Sequence, residues 1–191
     1  GLKIIESAPE TEALARSLDS NDGVYFVTAL TGLGAPHWQP DARGTIVGLT
    51  RGTTRAHLAR AALEAMAYGT ADVFNAMGSR SGTHFERLRV DGGASVNDWM
   101  MQFQSDIIGV PVERPEIVET TAMGAAGLAG IASGVWSSST EFHSVRKFTE
   151  FKPAMSMDQR IQLIAGWNRA IGTALFWAEM QTTKFGETKR Q

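Results

Sequence analysis

The segment "RVDGGASVND", Arg89 to Asp98, runs from a short apolar stretch into Asp91, the adjacent pair Gly92 and Gly93, and then residues with helical spacing. Two neighbouring glycines cost conformational entropy that a plain surface turn seldom needs twice. Bare backbone at Gly92 and Gly93 would let the sugar or α-phosphate of a nucleotide lie against the main chain, beside the free N–H groups that open the next helix. The helix dipole adds ~0.3 to 1 kcal/mol for an anion there. Asn97, one turn on, carries both a donor and an acceptor for an adenine edge or a ribose. The same residues also describe an ordinary strand-to-helix turn of any α/β fold, and residue types alone leave both readings open.

Neither common phosphate motif is present. Positions 95 to 97 read Ser-Val-Asn where G-x-G-x-x-G would need its last glycine, and no Gly-Lys-Ser/Thr ending of a P-loop occurs. Asp91 has the chemistry of a magnesium ligand or general base, but also of a turn residue that satisfies nearby N–H groups. His37, His57, His84 and His143 show no ligand spacing, so no metal site is expected. Glu119, Thr120 and Thr121 suit a helix start, with threonine as cap and glutamate complementing the dipole. Gly124, Ala125, Ala126, Gly127 and Gly130 then give a smooth helix surface, which a hinge between two domains would require. Met100 and Met101 read as core.

The elements that must position these residues follow from periodicity. "APETEALARSLDS" reads as a short helix, and "GVYFVTAL" and "TIVGLT" as an antiparallel strand pair joined by the glycine- and proline-rich loop "TGLGAPHWQPDARG". From Arg55 to Met77, Leu58, Ala62, Met66, Val73 and Phe74 form an apolar stripe beside a polar face with Arg60, Glu64 and Asp72. "RLRVDGG" reads as a buried strand. Val96, Met100, Phe103 and Ile107 space the next helix, which Gly109 ends. "VPVERP" is a brief strand, "ETTAMGAAGLAGIASG" a small-residue helix, and Met157 to Met180 a last amphipathic helix. The order predicts an α/β domain, a mixed sheet covered by helices, over residues 1–180, with 181–191 as a flexible tail.

Composition narrows the classes. With 191 residues and 43% hydrophobic content the chain can build one sizeable core. Its 18 basic and 20 acidic residues lack the basic excess of a nucleic-acid binder. No apolar run reaches the roughly 18 residues of a membrane span. The absence of cysteine suits a reducing, cytoplasmic setting. The start, "GLKIIESAPE", has no signal-peptide pattern and no initiator methionine, as expected of a piece of a longer protein.

The stretch "GTIVGLTRGTTRAHLARAALE", Gly44 to Glu64, resembles a signature of the FGGY carbohydrate kinases. "TGLGAPHWQPDARG", "LRVDGGASVNDWMMQFQSDIIGVPVERP" and "ETTAMGAAGLAG" are similar to the glycerol kinase branch of that family. The resemblance runs from about Val24 to Trp136 and more loosely through Trp167 and Trp177. It implies a ribonuclease H-like, actin-like ATPase domain, truncated at its N-terminus and belonging to the second of two domains that enclose a cleft. It implies ATP and Mg2+ as cofactors of the whole protein, and transfer of the γ-phosphoryl group to glycerol, giving glycerol 3-phosphate. Gly92, Gly93, Ala94 and Asn97 fall on the adenosine side of the nucleotide site. The catalytic base, the glycerol contacts and the phosphate loops fall before Gly1, so this chain carries no catalytic residue and would be inactive alone. The expected partners are glycerol, ATP, the missing N-terminal kinase domain and further copies in a homo-oligomer, with no nucleic acid and no membrane. The rival expectations are the same domain of a kinase for another polyol or pentulose, a noncatalytic actin-like nucleotide module, and a ligand-free interaction module.

Overall fold

The computed structural model describes residues 3–144 and 146–186. Helix α1 (Glu10–Arg16) starts where the Glu10 carboxylate accepts from the N–H groups of Glu6 and Ser7, at 3.1 and 2.8 Å. Strands β1 (Tyr25–Val27) and β2 (Thr45–Val47) pair antiparallel, with Tyr25 opposite Val47 and Val27 opposite Thr45. Alternation turns Tyr25 and Val27 into the core and leaves Phe26 on the outer side. Gly48, just after β2, has φ +82°, and a Cβ there would lie 1.9 Å from the carbonyl oxygen of Gly23. Gly48→Ala therefore adds a backbone clash to the ~1 to 2 kcal/mol of a left-handed residue. The expected result is a loss of stability above 2 kcal/mol, checked by urea denaturation.

Helix α2 (Arg55–Ser81) is the central element, and it buries a different face from the one its apolar spacing suggests. Met66 and Val73 are 44% and 39% exposed, whereas His57, Glu64 and Tyr68 are buried. The polar side chains can go inside because they satisfy one another. Glu64 accepts from Arg60 Nε at 2.8 Å and from Asn21 Nδ2 at 2.7 Å, and Asp72 accepts from Trp167 Nε1 at 2.8 Å. Alanines 56, 59, 61, 65, 67 and 71 let neighbours approach closely on several sides. Around Tyr68 the aromatic core closes, with Trp167 stacked at 5.1 Å and Phe103 edge-on at 5.6 Å.

A second sheet carries the site. Strand β3 (Leu88–Arg89) runs parallel to β4 (Val112–Pro115), and β4 pairs antiparallel with β5 (Phe148–Phe151), in the order β3-β4-β5. This is the mixed sheet that the element order implies. The strand expected to be buried is instead an edge strand, half-exposed at Leu88 and exposed at Arg89, because it is paired on one side only. Helix α3 (Asp98–Ile108) follows β3 and buries Met100, Met101, Phe103 and Ile107, while Val96 falls in the preceding turn and is exposed. Gly109 ends α3 in the left-handed conformation, and Arg160 caps it, Nη2 donating to the carbonyl of Ile108 at 3.0 Å.

Helix α4 (Thr120–Ala132) buries only Gly127 and Gly130, against the rings of Phe142 and Trp136. The small residues there admit aromatic rings from this same chain. Helix α5 (Ser139–Ser144) and β5 have no counterpart in the sequence reading. Helix α6 (Met157–Gly186) continues past the expected boundary at 180, and the remainder of the expected tail, 187–191, lies outside the described residues. Among the described residues no helix is long and apolar enough to cross a membrane.

Candidate nucleotide seat

The turn after β3 is set by backbone bonds on both sides. Val90 N–H donates to the carbonyl of Glu113 at 3.0 Å, and Gly92 N–H donates to that of Val118, also at 3.0 Å, so the glycine pair hangs from β4 and from the approach to α4. Gly92 has φ +75°, a conformation that favours glycine. Its carbonyl then accepts from Ser95 N–H at 3.1 Å and Ser95 Oγ at 2.7 Å, which coils Gly93–Val96 into one 3-10 turn. Asn97 caps α3, its Oδ1 accepting from Met100 N–H at 2.9 Å.

Gly93 and Ala94 are exposed, and among the described residues nothing accepts from their N–H groups. A Cβ built on Gly92 or on Gly93 meets nothing within 4 Å. The two glycines thus present bare backbone to open space at the start of a helix, which fits the adenosine half of a nucleotide. A recess of about 300 Å³ lies alongside, with Asp91, Ala94 and Ser95 in its wall.

The four expected contact residues lie along one glycine turn and the cap that follows it, and Asn97 has a structural role there. The Asn97 amide is already engaged at both ends, on Met100 N–H and, through Nδ2, on Thr11 Oγ1 at 3.5 Å. Its first task is to cap α3. Asp91 receives the hydroxyl of Thr120, which ties the end of β3 to the first turn of α4. The expectation that threonine caps α4 is not met, since Glu119 occupies the N-cap without a side-chain bond and Thr120 turns to Asp91.

Three residues of the seat carry no signal in the sequence. Thr11 reaches Asn97 from α1. Arg114 Nη1 donates to the carbonyl of Ser95 and to Asp98 Oδ1, each at 2.7 Å, and pins the 3-10 turn to β4. Glu113 takes Arg87 at 2.5 Å and Arg89 at 3.0 Å, fixing the strand that leads into the glycines. Burial alone would raise the Glu113 carboxyl, but the bonds from Arg89 and Arg87 outweigh it and hold it below its ordinary value. A lowered carboxyl stabilises the fold above the unfolded value of 4.5 and loses that contribution as pH falls through the folded value. Glu113→Gln should accordingly flatten the decline of stability below pH ~4.5, read as a shallower slope of thermal midpoint against pH.

The profile of the FGGY family of carbohydrate kinases, C-terminal domain, matches residues 3–133. A glycerol kinase of Deinococcus radiodurans is 54% identical over 180 residues, which are 94% of this chain and 36% of that protein. One of Desulforamulus reducens is 54% identical over 179 residues, 93% of this chain and 36% of its own. The chain thus spans about a third of the length of the curated relatives it matches. Among solved structures, Plasmodium falciparum glycerol kinase with ADP superposes with a TM-score of 0.81 at 35% identity, covering 91% of this chain and 35% of that one. Xylulose kinase from Rhodospirillum rubrum gives 0.73 at 23% identity, over 90% of this chain and 35% of its own, and shares the fold.

Proposed function

Since the chain belongs to the FGGY family of carbohydrate kinases and matches its C-terminal domain, we propose that it is the ATP-binding part of a glycerol kinase. The observation that carries this reading is the side-chain-free, open surface at Gly92 and Gly93, ahead of the 3-10 turn that leads into α3, in a chain 54% identical to curated glycerol kinases. The whole polypeptide transfers the γ-phosphoryl group of Mg-ATP to a glycerol hydroxyl, giving glycerol 3-phosphate and ADP.

Within this chain, Gly92, Gly93 and Ala94 lie against the adenosine half, Gly93 and Ala94 offering N–H donors. Asn97 holds the helix start in place and meets the base by exchanging Thr11 for the ligand. Mg2+ is assigned to the nucleotide phosphates and to residues outside this chain, as are the general base and the glycerol contacts. Residues 1–180 are assigned to this ATP-binding domain, whose last helix, α6, carries on to Gly186. Helix α4, with Leu128 73% exposed and Gly124, Ala125 and Ala126 at the surface, is the face on which a second domain would turn during closure. The setting is cytoplasmic and the whole protein a homo-oligomer.

The test is turnover by the whole polypeptide with Mg-ATP and a panel of polyols and ketoses. Glycerol should give the highest kcat/KM, with glycerol 3-phosphate as product. A higher kcat/KM on a pentulose would move the chain to another branch of the family, and ATP binding without turnover on any polyol would favour a noncatalytic module.

A further inference from the structure

Ser95 is the centre of the glycine turn, 2% exposed, and both of its donors, N–H and Oγ, close on the Gly92 carbonyl. Its own carbonyl is taken by another element, since Arg114, on β4, donates to it through Nη1 at 2.7 Å. The same nitrogen reaches Asp98 Oδ1, in the first turn of α3, also at 2.7 Å. The Ala94 carbonyl accepts from Asn97 N–H at 3.3 Å. The carbonyls of Gly92, Ala94 and Ser95 are thus all drawn into the fold, and Gly93 and Ala94 form the exposed side of the turn. Of the three carbonyls, that of Ser95 alone depends on a side chain from another element.

Arg114 is itself held. Its guanidinium lies over the Phe151 ring of β5 at 5.2 Å, and its side chain is 16% exposed. The Asp98 side chain, at 54%, stays in contact with water, so screening leaves the ion pair little weight in the stability of the whole fold. Its consequence is local. An aspartate at a helix start offsets the positive end of the dipole, which suits the helix and works against an anionic ligand at the same place. The Arg114 cation cancels that carboxylate, so the head of α3 keeps its attraction for a phosphate. Without Arg114 the Ser95 carbonyl loses its donor, and the seat faces an uncompensated negative charge.

We propose that Arg114 is a positioning residue of the nucleotide seat: it holds the 3-10 turn by the Ser95 carbonyl and neutralises Asp98, without itself touching the ligand. The proposal rests on the reading of the double glycine as that seat.

The experiment uses the whole polypeptide, with calorimetric titration of ADP at low and high salt and exchange of the Ser95 amide without nucleotide. Arg114→Met should weaken ADP binding at least ~10-fold at low salt and speed Ser95 exchange by a similar factor. Arg114→Lys, which keeps the charge and a donor, should recover most of the affinity. Adding Asp98→Asn to Arg114→Met should restore ADP binding by ~3-fold or more, and high salt should shrink that gain, which a side chain that only fills space would not produce. If Arg114→Met fails to fold, Asp98→Asn alone decides. With Arg114 then unbalanced it should tighten ADP binding at least ~2-fold at low salt, and unchanged or weaker binding would overturn the proposal. ADP affinity of Arg114→Met within twofold of the wild type would overturn it as well, whether or not Ser95 exchange rises. Wild-type protein that binds ADP without moving the Gly93 and Ala94 amides would remove the seat and this role together, whereas a seat that responds to ADP and ignores Arg114 would overturn this role alone.

Discussion

In the whole polypeptide, Gly93→Val should weaken ADP binding at least ~100-fold, about 2.7 kcal/mol, while leaving the thermal midpoint near that of the wild type. The separation of the two effects follows from the geometry. Gly93 does not need a left-handed backbone, and a Cβ there meets no protein atom within 4 Å, so a branched side chain is accommodated by the fold. That same side chain projects into the space of the proposed nucleotide seat, against the main chain. Gly92 gives the contrast, because its φ of +75° adds ~1 to 2 kcal/mol of strain to any residue with a Cβ. Gly92→Ala should lower stability and affinity together, whereas Gly93→Val lowers affinity alone. Calorimetric titration with ADP, paired with thermal melts of each variant, checks both.

Glu64→Ala should cost about 3 to 5 kcal/mol, the usual consequence of removing one member of a buried ion pair. Glu64 is 1% exposed, and its loss leaves the Arg60 guanidinium, which packs over the Trp99 ring at 5.1 Å, with the Leu18 carbonyl but no carboxylate, and takes the acceptor from Asn21 Nδ2. For a chain of this length the thermal midpoint should drop by on the order of 10 °C. Glu64→Gln keeps a carbonyl for Arg60 and fills the same volume, though it still removes the charge opposite the guanidinium, so it should cost less than Glu64→Ala. Burial is the largest influence on this carboxyl and raises it, against the bonds from Arg60. A raised carboxyl favours the folded state most below its unfolded value, and that contribution is lost as pH rises through the folded value. Glu64 thus opposes Glu113 in the acid range, and each is isolated by its own glutamine variant. A Glu64→Ala protein as stable as the wild type would mean that the network is dispensable.

The glycine turn was more legible than the core around it. Two adjacent glycines between a strand and a helical repeat mark a backbone position with few alternatives, and the structure places Gly92, Gly93, Ala94 and Asn97 in one turn. Helix α2 was misread because apolar spacing assumes that polar residues face water. Here Arg60, Glu64, Asn21 and Tyr68 satisfy one another inside, and that depends on Asn21, 43 positions away in sequence. Thr11, Arg114 and Thr120 act on the seat through contacts that span 86, 19 and 29 positions, which no local pattern encodes. Strand β5, "FTEF", is too short to stand out, and its partner β4 makes it a strand.

The central claim, a nucleotide seat at the double glycine, is tested most directly by titrating ADP into the isotope-labelled whole polypeptide and following backbone amides. The account predicts that the largest saturable shifts fall on Gly92, Gly93 and Ala94, with a smaller response at the Asn97 side chain as it leaves Thr11. Saturation by ADP with those amides unmoved, and the shifts gathered elsewhere, would contradict it.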